Sequence, residues 1–130
     1  MRKVIRTTEA TRPRGAYSQA IVAGGLVYVA GQIPVNPETN ELELGDIKSE
    51  ARLTLQNLRA VLEASGSSLR DVLRVGVFLA DLNDFSPMNE VFQEFFPEDP
   101  PARSTVGVLL PKVKIEIDCI ARLRRIRRRK

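Results

Sequence analysis

Apolar residues in this chain follow two rhythms. Over residues 46–65 they recur at helical spacing, and Ile47, Ala51, Leu55, Leu58 and Leu62 form one stripe. Asp46 stands where an N-cap belongs, and Glu50 sits in the first turns, where the helix dipole favours an acid. Gly66 follows in the position that stops a helix. A second helix begins at Asp84 or Ser86, tolerates Pro87 in its first turn and turns Val91, Phe92, Phe95 and Phe96 inward. Pro97, Pro100 and Pro101 end it. Elsewhere the apolar runs are short and β-branched. "KVIRT" (3–7) reads as a strand, and 18–23 with 26–30 reads as a hairpin turning at Gly24-Gly25. Gly31 marks a place where the backbone approaches something closely. "NPETNELELG" (36–45) is a polar loop, "DVLRVGVFLADL" (71–82) a buried strand, and two more strands run near 104–110 and 112–124.

The resulting order is β-β-β-α-β-α-β-β. It predicts an α+β sandwich, a mixed sheet with both helices on one face, in a single domain over residues 1–121. In "KIEIDCIARL", Ile115, Ile117, Cys119 and Ala121 share one strand face, and Glu116, Asp118 and Ile120 share the other. The first set fits against the helices. Because "LVYVA" and "VGVFLA" are apolar on both faces, the uncovered side of the sheet is expected to be buried in an oligomer.

Charge changes this picture only at one end. The chain carries 20 Lys and Arg against 16 Asp and Glu, but residues 122–130, "RLRRIRRRK", hold seven of the bases and no acid. Without them the balance is 13 against 16, so the body is slightly acidic. The tail is expected to be a mobile, solvated extension of the last strand. Its alternative is a weak, salt-sensitive hold on nucleic acid, without aromatic residues for base stacking. No apolar run is long enough for a membrane span, and the basic N-terminus lacks the apolar core of a secretory signal, so a cytoplasmic protein is expected. The chain has no His and one Cys. Zinc sites of the usual Cys/His type, Ser-His-Asp triads and Cys-His pairs are therefore outside its means, and acid–base work falls to a carboxylate, Tyr, Lys or water.

The candidate residues each have two readings. Arg103, in "PPARSTVGVLL", either pairs with a neighbouring surface acid or waits for a carboxylate ligand. Glu116 is either a solvated strand carboxylate or an acid–base group raised in pKa by its apolar neighbours. Tyr17 is either half-buried packing or a ligand contact, Asn89 reads as a neutral surface residue, and Cys119 reads as an inert core thiol.

Five segments alter that weighing together: "GAYSQA" around Tyr17, "VAGQIPVNPET" (29–39), "LADLNDFSPMNEVFQEFF" (79–96), "PPARS" (100–104) and "VKIEIDCIA" (113–121). In order and spacing they resemble the Rid (YjgF) family of imine and enamine deaminases, over roughly residues 3 to 121. The resemblance implies a chorismate-mutase-like fold and a homotrimer whose strands build a central barrel, with three ligand clefts between subunits. It implies that Arg103 clamps a substrate carboxylate, that Glu116 positions the attacking water, and that Tyr17, Asn89 and the backbone at Gly31 line the cleft. It implies hydrolysis of 2-iminobutanoate and 2-iminopropanoate to 2-oxo acids and ammonia, with no cofactor and no metal. A non-catalytic module for small carboxylates is the alternative, and ribonuclease or RNA-binding activity through the tail is the third reading. The sequence departs from the family where Cys is frequent and Thr105 stands, and where Ser is frequent and Ala30 stands. The stretch between Arg103 and Glu116 is about two residues shorter and lacks the usual Arg before "LPK".

Overall fold

Helix α1 forms where the apolar stripe runs. In the computed structural model, which describes residues 2–124, it spans Ile47–Ala64. Asp46 caps it, accepting a hydrogen bond from the Ser49 N–H at 2.8 Å. Gly66 ends it at φ +83°, a left-handed conformation that suits glycine. Before it come β1 (Lys3–Ile5), β2 (Ala20–Ala23) and β3 (Leu26–Gln32). β2 and β3 turn through Gly24 and Gly25, both at positive φ, as a two-residue hairpin requires. The expected loop 36–45 instead contains a small hairpin, β4 (Val35–Asn36) with β5 (Glu41–Leu42). Asn40 allows it by adopting φ 58°.

After α1 come β6 (Val72–Leu79), α2 (Phe85–Phe95), β7 (Ala102–Gly107) and β8 (Ile115–Arg122). One-turn 3-10 segments at Leu69–Asp71 and Leu82–Asp84 trim β6 at both ends relative to the expected 71–82. Asp84 stands at the start of α2 but its side chain makes no cap bond, and Asp81 caps the preceding turn by accepting from the Asn83 N–H. β7 starts two residues earlier than expected and ends three earlier. Its extent is set by parallel pairing with β6, from Arg74 opposite Ala102 to Leu79 opposite Gly107, and not by the apolar run that follows. Val108 and Leu109 lie outside it, Leu109 95% exposed. β8 is shorter than the expected 112–124 because its antiparallel pairing with β6 begins at Ile115. Of the basic tail, expected to be a mobile extension, residues 125–130 lie outside the described residues.

The six-stranded sheet has the order β1-β2-β3-β8-β6-β7. Both helices cover one face. Leu55, Leu58, Val61 and Leu62 of α1 and Met88, Val91 and Phe92 of α2 join Val27, Val29, Val75, Val77, Ile117 and Cys119 in one buried core. The ion pairs between the helices, Lys48–Glu90 and Arg52–Glu94, are exposed and add little beside this apolar contact. The opposite sheet face carries Tyr28, Phe78, Val106 and Ile120 around Asp118 and Arg74, with nothing packed on it among the described residues. Tyr28 and Val106 are each 44% exposed. The α+β fold with two helices on one face of a mixed sheet is thus the one the pattern predicts. Among the described residues, no helix is long and apolar enough to cross a membrane.

Candidate functional site

Arg103 is held but not neutralised. It lies on edge strand β7 opposite Val75, whose side chain is in the core, so its own side chain turns toward the helices. There α2 presents Phe85, Asn89 and Phe92 along one helical stripe. The Arg103 Nη1 donates to Asn89 Oδ1 at 2.9 Å. The guanidinium centre lies 4.6 Å from the Phe92 ring centroid and 5.4 Å from that of Phe85. Each such aromatic contact holds a cation with about 0.5–2 kcal/mol while leaving its N–H fork free. No acid reaches it as an ion pair among the described residues, which removes the surface-pair reading. Burial lowers its pKa, though a guanidinium stays charged at any working pH. A cavity of about 470 Å³ opens beside it, lined by Asn89, Phe92, Gln93, Phe96, Pro101 and Arg103. Thr105, opposite core residue Val77, faces the same side two residues along.

Glu116 lies on the other face of the sheet. It pairs in register with Phe78, between inward-facing Ile115 and Ile117. Across from it, β3 carries a bulge: Val29 pairs with Cys119 and Gln32 with Ile117, so Ala30 and Gly31 together oppose Asp118. A Cβ at Gly31 would fall on the Glu116 carboxylate. The close approach expected at Gly31 is therefore to this side chain. Gln32 braces the bulge by donating to the Ala30 carbonyl at 3.2 Å. Burial, and then the nearby Asp118 carboxylate, raise the Glu116 pKa above the ordinary glutamate value. Glu116 has no ion-pair partner among the described residues.

Tyr17 is 48% exposed on the loop between β1 and β2, so it is not core packing. Its hydroxyl accepts from the Arg14 N–H at 2.9 Å. Gln19 fixes that loop, accepting from the Thr7 N–H and donating to the Thr7 and Thr11 carbonyls.

Within one chain, then, the expected residues fall into three groups. Arg103, Asn89 and Thr105 lie on the helix side at the β7 edge, and Ala30, Gly31 and Glu116 lie around the bulge on the open face. Tyr17 lies toward the β1–β2 edge. One chain does not bring Arg103 and Glu116 together. The sequence reading missed Phe85 and the site role of Phe92, although their spacing of four and three residues from Asn89 is a helical signal.

The sequence profile described as Endoribonuclease L-PSP matches residues 7–123. A RutC family protein of Pyrococcus horikoshii is 54% identical over 123 residues, covering 93% of this chain and 98% of that protein. The 2-iminobutanoate/2-iminopropanoate deaminase of Dermatophagoides farinae is 46% identical over 121 residues, covering 92% and 94%. The crystal structure of Escherichia coli TdcF with bound serine superposes with a TM-score of 0.87 at 43% identity, covering 92% of this chain and 98% of that one. With a profile match over nearly all of the folded body and relatives this similar along their whole length, the chain belongs to the Rid (YjgF) family, which includes reactive intermediate deaminases.

Proposed function

We propose that this chain hydrolyses reactive 2-imino acids, 2-iminobutanoate and 2-iminopropanoate, to the 2-oxo acid and ammonia. The observation that carries the reading is Arg103, without an ion-pair partner among the described residues, stacked on Phe92, tied to Asn89 and opening on a cavity. A guanidinium so prepared suits a carboxylate, and its free N–H groups fit both oxygens at once. The iminium carbon of the substrate is already electrophilic, so no nucleophilic side chain is needed. Glu116 takes a proton from water as its oxygen bonds to C2. The nitrogen of the tetrahedral adduct gains a proton, the C–N bond breaks, and ammonia leaves as the carbonyl forms. A raised pKa suits a group that must accept and then return a proton near neutrality.

The cleft is completed between copies. Arg103 and Glu116 face opposite sides of one sheet, and the uncovered face bearing Tyr28, Phe78, Val106 and Ile120 needs cover. A homotrimer with its open sheet faces turned to a common barrel answers both needs, and exposed Tyr17 and half-buried Thr105 then border the ligand. The relative named as a 2-iminobutanoate/2-iminopropanoate deaminase supports the substrate class, and the serine bound to TdcF supports a small carboxylate ligand.

The test couples a threonine dehydratase to semicarbazide trapping of 2-iminobutanoate. Wild type is expected to cut the trapped product sharply, and Arg103→Ala to leave it near the blank. Glu116→Gln is expected to keep 2-oxobutanoate binding and to lose turnover by about 100-fold or more. Wild type indistinguishable from the blank sinks the deaminase, and binding without turnover in wild type points to a non-catalytic carboxylate module.

A further inference from the structure

Glu50 is an acid in the first turn of α1, where an exposed carboxylate would satisfy the helix dipole. Instead it is fully buried, at 0% exposure. An ionised carboxylate removed from water costs several kcal/mol unless its oxygens are paired. Here they are. Oε1 accepts from the Lys114 N–H at 2.7 Å, and Oε2 accepts from the Gly45 N–H at 3.1 Å and from Lys114 Nζ at 3.3 Å. Lys114 Nζ also donates to the Gly45 carbonyl at 2.7 Å, which closes the ring. On its other side, the Lys114 carbonyl accepts from the Ala80 N–H at 3.0 Å, just past the end of β6. Lys114 is thus fixed by α1 on one side and by the exit of β6 on the other.

The location gives this clamp its meaning. Lys114 is the residue before β8 begins, and Glu116 lies two further on. Of the segment that arrives there, Val108, Leu109, Pro111 and Lys112 are exposed and Val113 is buried, so Val113 packing and the clamp together anchor the entry to β8. Strand side chains repeat every two residues, so the backbone orientation at Lys114 carries directly to the carboxylate of Glu116. The Gly31 bulge leaves that carboxylate no spare room. Arg103, by contrast, is held by Asn89, Phe85 and Phe92, none of which touches the clamp through a hydrogen bond.

We propose that Glu50 is a positioning residue for Glu116: through Lys114 it fixes the start of β8 and so the direction of the water-activating carboxylate. This inference rests on the deaminase reading for its kinetic consequence. It predicts that chemistry and carboxylate binding respond separately.

The experiment compares full-length wild type, Glu50→Ala and Glu50→Gln, with circular dichroism melts to show which are folded. In Glu50→Ala, kcat for 2-iminobutanoate should fall about 10- to 100-fold. KM and the Kd for 2-oxobutanoate should stay within about twofold. Glu50→Gln should recover most of kcat, because its carboxamide oxygen still accepts from the Lys114 N–H. A folded Glu50→Ala with unchanged kcat overturns the proposal, as does a parallel loss of kcat and binding, or a Gln variant no better than Ala. If Glu50→Ala does not fold, Glu50→Asp draws the carboxylate back from Lys114 and should show the same split; unchanged kcat there overturns it. If wild type turns over no imine, the deaminase reading fails by itself. The positioning claim is then read from carbon-13 titration of the Glu116 carboxyl beside Asp118. Its midpoint should move toward the ordinary glutamate range in the Ala or Asp variant, and an unmoved midpoint overturns it.

Discussion

Gly31 and Glu116 compete for one space. A Cβ built on Gly31 meets the Glu116 carboxylate and lies 2.8 Å from its Cδ. What it meets is the end of a flexible side chain, so an alanine there would turn the carboxylate aside without breaking the sheet. Gly31→Ala is therefore expected to keep Tm within about 3 °C and to cut kcat about 100-fold, read by melts and the trapping assay. A lowered Tm with kcat intact would remove Gly31 from the site. Arg103 shows the opposite economy: its neighbours are aromatic faces and an amide oxygen, which orient it without cancelling its charge. Cys119 has no comparable role. Burial first, and Asp118 second, push its thiol up to about 12, so it stays protonated as a small core residue.

The elements differ in how openly the sequence declares them. The N-terminus of α1 is plain, because an aspartate followed by an apolar stripe is a local signal. The Asp46 carboxylate accepts from the Ser49 N–H, and that bond holds its pKa below the ordinary aspartate value. A depressed carboxylate adds stability above its unfolded pKa and loses it as pH falls through the folded one. Asp46→Ala should accordingly lower the urea midpoint at pH 7, with the gap to wild type narrowing below the usual aspartate range. An equal gap at all pH values would mean that the charge contributes nothing. Glu50 was legible only as another first-turn acid, since its partner Lys114 is 64 residues away. β7 was misplaced for a related reason. "ARSTVG" has no strand rhythm of its own and becomes a strand by pairing with β6, whereas the apolar Val108 and Leu109 that follow are exposed.

At the scale of the molecule, the fold class and the common side of both helices followed from periodicity, and the apolar open face followed from β3 and β6 being apolar on both sides. Strand order did not, because no local pattern says that β8 enters between β3 and β6. Nor did the division of the candidate site residues between the two faces of the sheet, which depends on strand register. The open face carries the last expectation. On the proposed trimeric deaminase, Ile120→Arg should shift the sedimenting species toward monomer and lower deamination about 100-fold or more, although Arg103 and Glu116 are both untouched. Full activity in a monomer would refute a cleft shared between chains. The central place of β8 also bears on how the protein is made. When a ribosome has released residues up to Gly107, β1-β2-β3 and the parallel β6–β7 pair are separate pieces, each with a bare edge. They join only when residues 115–122 emerge and slot between them. Folding thus passes through a stage in which the β3 and β6 edges are open, the period in which a chaperone matters most, and the strand that carries Glu116 is also the one that closes the fold.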